Sequence, residues 1–229
     1  MENVMKNPFA RLATMGRSHD VVHKNPFRQA RLLRFMAIVD EVIAQRGECR
    51  ILDVGGTNDY WLANEEMWAQ KPVHITVMNL GADETSHPKL RPVTGNACHM
   101  QEFADSSFDL AHSNSVIEHV GRWKDQKAMA NEVRRVASRY YVQTPNMWFP
   151  IEPHCRMAFI HWVPLHVRIS MLQRRSIGFY PKANSMDEAM ASAEDACLLD
   201  FKQMQALFPE ATIEREKFAL MTKSLIAVR

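Results

Sequence analysis

The sequence predicts an α/β fold: a doubly wound, mostly parallel seven-stranded sheet ending in an antiparallel strand, with an inserted cap. Three observations predict it. Strand-like and helix-like segments alternate along most of the chain. The strand-like segments are short, nearly continuous apolar runs, as expected where helices cover both faces of a sheet. The last two, 211–218 and 222–228, are joined by a link too short for a parallel crossover, so they pair antiparallel.

With 229 residues, 46% of them hydrophobic, the chain can bury one substantial core, and one domain with an insertion fits better than two. A helix is expected from Phe27, because Leu32, Phe35, Val39 and Val42 or Ile43 recur at helical spacing and Gly47 is a natural stop. Strands are expected at 50–54, 73–80, 91–94, 108–113 and 139–144. Between 123 and 138, Met129, Val133 and Val136 share one helical face, and 199–208 reads as a helix ended by Pro209. Residues 1–47 are therefore an N-terminal arm and helix, 48–229 the main domain, and 145–198 a cap inserted in it. Lys-Asn-Pro-Phe occurs at 6–9 and again at 24–27, which is too short to mark a repeat architecture.

The net charge of +2 does not by itself indicate nucleic acid, but the charge is unevenly spread. Residues 1–47 carry eight Lys/Arg against four Asp/Glu, 151–182 carry five against one, and 183–200 carry five acids and no Lys/Arg. Exposed charged linkers and an anionic partner both fit that distribution. The four cysteines, Cys49, Cys98, Cys155 and Cys197, show no Cys-x-x-Cys spacing, which points away from zinc knuckles and disulfide frameworks. No secretory leader and no run of about 18 apolar residues is present, so a cytoplasmic protein is expected. Nothing in the sequence sets an oligomeric state.

The most informative stretch is Ile51-Leu52-Asp53-Val54-Gly55-Gly56-Thr57, a buried-strand pattern running into an acid and a glycine turn. Glycines there permit positive φ and a close approach of ligand to main chain, while the following helix offers unpaired N–H groups. A nicotinamide site would need Gly-x-Gly-x-x-Gly, but Thr57 and Tyr60 occupy the next two glycine positions after Gly55. There is no Gly-x-x-x-x-Gly-Lys phosphate loop either.

Several motifs occur in a fixed order: 51–56; Gly95-Asn96-Ala97; Ser107-Phe108-Asp109-Leu110 followed by Val116-Ile117-Glu118-His119-Val120; and the final run 223–228. In these the chain resembles class I S-adenosylmethionine-dependent methyltransferases of the small-molecule branch with a Val-Ile-Glu-His-Val signature. The resemblance covers roughly 48–145 and 199–229 and implies a Rossmann-like sheet and S-adenosylmethionine as cofactor. It further implies that Asp53 and Gly55, with Gly56 in the same turn, approach the methionine amino group. Asn79 and Leu80 would meet the ribose and adenine, Asn96 and Ala97 the adenine edge, and Ser113 the methionine part. Three departures stand out: Thr57 and Asp59 replace family glycines, Asn79 replaces the usual acid after the second strand, and Asn96 replaces the usual Asp. Amides in place of ionised acceptors make weaker hydrogen bonds, which implies modest cofactor affinity.

Methyl transfer requires an in-line acceptor, and a base only when the acceptor must lose a proton. His119 beyond the fourth strand suits that role; shaping the wall with Glu118 is the structural alternative. Some relatives hold a divalent metal with Glu-x-x-Glu-His, but Ser115 replaces the first Glu here, and Glu118 with His119 alone is a poor catalytic site, so no metal is expected. The turn 144–154 contains Glu152 and His154, which with His161 could bind or deprotonate a hydroxyl. Equally, Glu152 could cap a turn and His161 pack on an aromatic face. Residues 157–172 read as an apolar cap segment lining a pocket, or as an interfacial helix near lipid headgroups, with Trp148, Phe159 and Trp162 as walls.

The catalytic candidates are thus His119, His154 and Glu152. The expected activity is O-methylation of a small or lipid-linked molecule, with peripheral membrane contact through the cap. The rival is a non-catalytic protein of the same fold acting as an interaction partner. Nucleic acid is not expected, since the nearest segment to Asn-Pro-Pro-Tyr is Thr144-Pro145-Asn146.

Overall fold

The computed structural model describes residues 26–81 and 83–229; the first part of the N-terminal arm, residues 1–25, lies outside the described residues. Seven strands, β1 (Cys49–Val54), β2 (Val73–Asn79), β3 (Leu90–Thr94), β4 (Phe108–Asn114), β5 (Ala137–Pro145), β6 (Thr212–Phe218) and β7 (Met221–Val228), form one sheet in the order β3-β2-β1-β4-β5-β7-β6. The first five are parallel, whereas β7 runs antiparallel to both β5 and β6. The antiparallel strand therefore sits one place in from the edge, and β6 is the edge strand. A two-residue turn, Ala219 and Leu220, both at positive φ, joins the last pair.

Side chains alternate across the sheet, so each strand feeds two cores. On one face Leu52, Ala111 and Val142 pack with Met129 and Val133 of α3 (Trp123–Val136) and with Met204 and Leu207 of α6 (Phe201–Leu207). On the other, Ile51, Leu110 and Tyr141 pack under α1 (Pro26–Arg46), whose Leu32, Phe35, Val39 and Val42 form the buried stripe, and beside Trp61 and Trp68. Gly47, at φ +85°, ends α1. Asp109, part of the Ser-Phe-Asp-Leu motif, ties these layers together: its buried carboxylate accepts from Arg50 N at 2.8 Å, Arg50 Nε at 3.1 Å and Arg46 Nη1 at 2.8 Å.

β1 connects towards β2 and β3, while β4 lies on its other side, so a crevice opens where the strand order reverses, at the C-terminal ends of β1 and β4. The glycine turn sits there. After β5 the chain leaves the sheet and returns at a bridge between Asn146 and Leu199. In between lie a short ribbon (Ile151–Glu152 with Met157–Ala158), a 3-10 turn (Ile160–Trp162), α4 (Leu165–Arg174) and α5 (Met186–Glu194). These have a small core of their own, with Leu172, Ile177 and Tyr180 against Ala189 and Ala193. The acidic segment, which reads as an exposed linker, instead forms α5, started by Ser185 Oγ accepting from Glu188 N at 3.1 Å. No helix among the described residues is long and apolar enough to cross a membrane.

Candidate active site

Gly55 takes φ +76°, and a side chain on it would meet Val116 Cγ1 at 2.4 Å. At Gly56 a Cβ would lie 1.7 Å from Asp53 Oδ2. Only glycines fit this turn, because Val116, two residues past β4, and the acid at the end of β1 both press against it. Asp53 is itself almost wholly buried, at 1% exposure. Its Oδ2 accepts from Trp61 Nε1 at 2.7 Å and its Oδ1 from His112 Nδ1 at 2.7 Å. Thr57, in a family glycine position, caps α2 (Asn58–Leu62), its hydroxyl accepting from Tyr60 N at 3.3 Å.

The other cofactor candidates surround the crevice. Asn79 donates its amide to Gly56 O at 2.9 Å and accepts from Leu80 N at 2.8 Å, so its side chain braces the glycine turn. Asn96 Oδ1 accepts from Cys98 N at 2.9 Å in a local turn, with Ala97 buried between them. Ser113 is buried and donates to Val54 O at 3.0 Å, while Leu80 is 74% exposed. Turn, crevice and strand ends thus come together, but the polar side chains of Asp53, Asn79, Asn96 and Ser113 already have protein partners. A ligand here is left mainly backbone groups and apolar surface.

The three catalytic candidates converge. His119 Nε2 and His154 Nε2 are 3.0 Å apart. His154 Nδ1 donates to Glu152 Oε1 at 2.6 Å, and His119 Nδ1 donates to the Asp195 carbonyl at 3.1 Å, with Asp195 Oδ2 at 3.3 Å. Burial pulls the His119 pKa down, but the hydrogen bonds and charge of Asp195 with the charge of Glu118 outweigh it and raise it to about 9. Glu152 also accepts from Cys155 N, so it caps its turn and orients the histidine at once. Glu118 is fully buried; Oε2 accepts from Thr144 Oγ1 at 2.9 Å, and Oε1 has no hydrogen-bond partner. The ligand atoms of Glu118, His119 and His154 lie within 4.8 Å of one another, so the cap contributes a third donor to the pair visible in the signature.

His154 also borders a cavity of about 560 Å³ at the C-terminal end of β5, which Ser115, Gln143 and Asn146 line from the sheet. Arg28, Arg31, Arg156 and Lys223 bring positive charge to it, and Phe27, Phe149, Phe179 and Phe218 bring apolar surface. Lys223 Nζ lies 3.3 Å from the Phe27 ring centroid and Arg156 stacks on Phe179 at 4.2 Å. Trp148, Phe159 and Trp162 do not wall it, contrary to the sequence expectation. They pack on one another outside and are largely exposed, because Trp162 Nε1 is turned to Met147 O at 2.9 Å. His161 Nε2 donates to the same carbonyl at 2.9 Å against the Trp162 ring, the packed arrangement rather than a base over the cavity.

A family model described as a methyltransferase domain matches residues 66–139, from just before β2 into β5. Solved structures share the fold. A Burkholderia thailandensis 1,6-didemethyltoxoflavin-N1-methyltransferase, 11% identical, covers 96% of this chain and 87% of its own at a TM-score of 0.51. An O-methyltransferase family protein from the same organism, 9% identical, covers 97% and 63% at 0.52. The CurJ carbon methyltransferase, also 9% identical, covers 92% and 57% at 0.58. Residues 66–139 thus match a methyltransferase domain, and the sheet they belong to has the fold of these methyltransferase structures. At such identities the structural likeness is one of fold, and the chain spans 64%, 57% and 46% of the length of three matching structures. No curated protein sequence matches it.

The candidate site brings together several residues that sequence reasoning did not single out. His112 and Trp61 hold Asp53, Asp195 orients His119, and Arg31 and Lys223 charge the cavity. His112 was open to discovery, since it alternates onto the Asp53 side of β4 and pairs with Asp53 in register. Asp195 carried no local signal: it reaches His119 from 76 residues away.

Proposed function

We propose that this methyltransferase domain transfers a methyl group from S-adenosylmethionine to an oxygen of a small anionic molecule. The observation that carries the reading is the cavity beside the crevice: about 560 Å³, within the range of small-molecule sites, with four Arg/Lys and no carboxylate among its described lining residues. Glu216 pairs from behind with Arg31 at 3.6 Å and Lys223 at 3.8 Å, leaving the lining itself cationic.

The cofactor would lie over Gly55 and Gly56, with Asp53, Asn79, Leu80, Asn96, Ala97 and Ser113 as its walls and backbone groups as its principal donors. In support, the 1,6-didemethyltoxoflavin-N1-methyltransferase of the same fold was crystallised with bound 1,6-didemethyltoxoflavin and S-adenosylhomocysteine. Ser115, lining the cavity, precedes Val116, which touches Gly55, so acceptor and methyl donor would meet at that point. Oxygen is favoured because His154 lines the cavity with His119 and Glu152 hydrogen-bonded behind it, a polar relay suited to a hydroxyl that must shed a proton. A small acceptor is the reading adopted; a lipid-linked one with membrane contact would rest on the outward aromatic cluster of the cap alone.

The test is incubation with an isotopically labelled methyl donor and a metabolite extract split by ion exchange, followed by mass spectrometry, alongside calorimetry with S-adenosylmethionine and S-adenosylhomocysteine. Labelled product in the anionic fraction is expected. Label confined to neutral or cationic fractions overturns the acceptor class. Absence of binding by either cofactor form at millimolar concentration overturns the enzyme reading in favour of an interaction partner.

A further inference from the structure

We propose that Glu118, His119 and His154 form a binding site for one divalent first-row transition ion of the zinc type. Each imidazole Nδ1 faces acceptors only, Glu152 Oε1 for His154 and the carbonyl and carboxylate of Asp195 for His119, so both Nδ1 atoms carry hydrogen. In the neutral rings, the two Nε2 lone pairs then point at one another across 3.0 Å. That arrangement needs a positive centre between them. A single proton supplies one charge, yet three carboxylates, Glu118, Glu152 and Asp195, surround the pair.

The distances suit a metal. Two nitrogens about 2.05 Å from a tetrahedral ion stand about 3.3 Å apart, so the rings need open by only a few tenths of an ångström. The third donor is the fully buried Glu118, whose Oε1 has no partner and whose Oε2 is anchored by Thr144. Carboxylates behind both histidines fix the tautomer and ring orientation as the outer partners of metal-bound histidines do. Tyr180 in turn donates to Asp195 Oδ2 at 2.7 Å, and Cys155 N donates to Glu152. Two imidazoles and one carboxylate favour zinc-like ions over the all-oxygen shells of magnesium and calcium. Three protein ligands leave a fourth position open. Ion binding stands on this geometry alone. That the open position takes the acceptor oxygen and eases its deprotonation rests on the proposed methyl transfer.

The experiment uses metal alone on the full chain: equilibrium dialysis of the metal-free protein against Zn2+, and visible spectra on titration with Co2+. The wild type is expected to bind one ion per chain and to give the intense bands of four-coordinate Co2+. His154→Ala, on the half-buried ribbon turn, should weaken binding at least a hundredfold, and Glu152→Gln, which touches no ion, by about 10- to 100-fold. Circular dichroism reports whether each variant is folded, and the wild-type spectrum stands whatever a variant does. Binding no tighter in the wild type than in folded His154→Ala, or a Co2+ spectrum without four-coordinate bands, overturns the site and leaves a shared proton. Stoichiometric binding without methyl transfer would keep the site and remove the proposed function; transfer without binding would do the reverse.

Discussion

Asp53 and His112 are partners on adjacent parallel strands and share a 2.7 Å hydrogen bond with both side chains 2% exposed. The glycine turn rests on this pair, because Gly56 has room only for hydrogen over the Asp53 carboxylate. Replacing His112 by Phe keeps a ring among Phe35, Tyr60 and Tyr141 but leaves Asp53 Oδ1 without its donor. Loss of about 3 kcal/mol in urea unfolding is expected, together with weaker S-adenosylmethionine binding. A change below about 1 kcal/mol would mean the carboxylate finds water or another donor.

Asn79→Asp restores the acid usual in the resembling family, and simple analogy would have it tighten cofactor binding. The structure points the other way. The Asn79 amide donates to the carbonyls of Gly55 at 3.3 Å and Gly56 at 2.9 Å, where a carboxylate would meet oxygen with oxygen. The variant should bind S-adenosylmethionine severalfold more weakly by calorimetry and lose about 1–3 kcal/mol of stability. Tighter binding would show that the turn does not depend on this brace.

Stability should be acid-sensitive through Asp109. Burial pushes its pKa up, but the hydrogen bonds and charge of Arg50, with Arg46 beyond, win and hold it below the usual carboxylate value. The depressed folded pKa means that this contribution is present above about pH 3.9, the unfolded value, and fades as pH falls through the folded one. With Arg50 and Arg46 about half exposed, screening limits it to about 1–2 kcal/mol. Asp109→Asn should therefore lower the urea midpoint at pH 7 and converge on the wild type below pH 4. A constant gap across that range would assign its effect to packing instead.

In the cavity, Lys223→Met keeps the stem over Phe27 and removes the charge. For the acceptor that the labelling experiment identifies, KM should rise about tenfold, equivalent to about 1.4 kcal/mol, with the S-adenosylmethionine dissociation constant unchanged. An unchanged KM would remove Lys223 from acceptor recognition.

The turn between β6 and β7 places two non-glycine residues at positive φ, Ala219 at 47° and Leu220 at 67°. Leu220 is 95% exposed, so its side chain adds no packing to offset the strain. Leu220→Gly should raise the unfolding free energy by about 0.5–1 kcal/mol. A lower value would indicate that flexibility gained by the unfolded chain outweighs the relief.

Most of the strands were legible because they are short apolar runs with their own turn signals; β6, Thr-Ile-Glu-Arg-Glu-Lys-Phe, is largely charged, and the brevity of the 219–220 link fixed that it and β7 pair antiparallel. The place of β7 inside the edge was not legible, since local sequence does not state which strand it prefers as neighbour. The cap was the least legible part. A single apolar segment at 157–172 proved to be a ribbon strand, a 3-10 turn and most of α4, separated at Phe159, which is left-handed, and Pro164. α5 buries Ala189 and Ala193, whose small side chains leave hardly any periodic signal among Asp187, Glu188 and Glu194. At the site, Glu118 and His119 were visible as neighbours in the chain. Their union with His154 and Asp195 depends on how the cap folds back, which no spacing records.

Asp195 stands directly after α5, and its neighbour Cys197 is tied to the core by hydrogen bonds from its N to Glu118 O at 2.7 Å and from Gln126 Nε2 to its O at 2.8 Å. Damage to α5 therefore travels to His119 without any contact with a substrate. A substitution as remote as Ser185, the cap of that helix, would mimic an active-site lesion in a turnover assay while leaving every reacting group intact. Functional screens of this chain will report the health of α5 together with its chemistry, and separating the two takes a structural readout beside each rate.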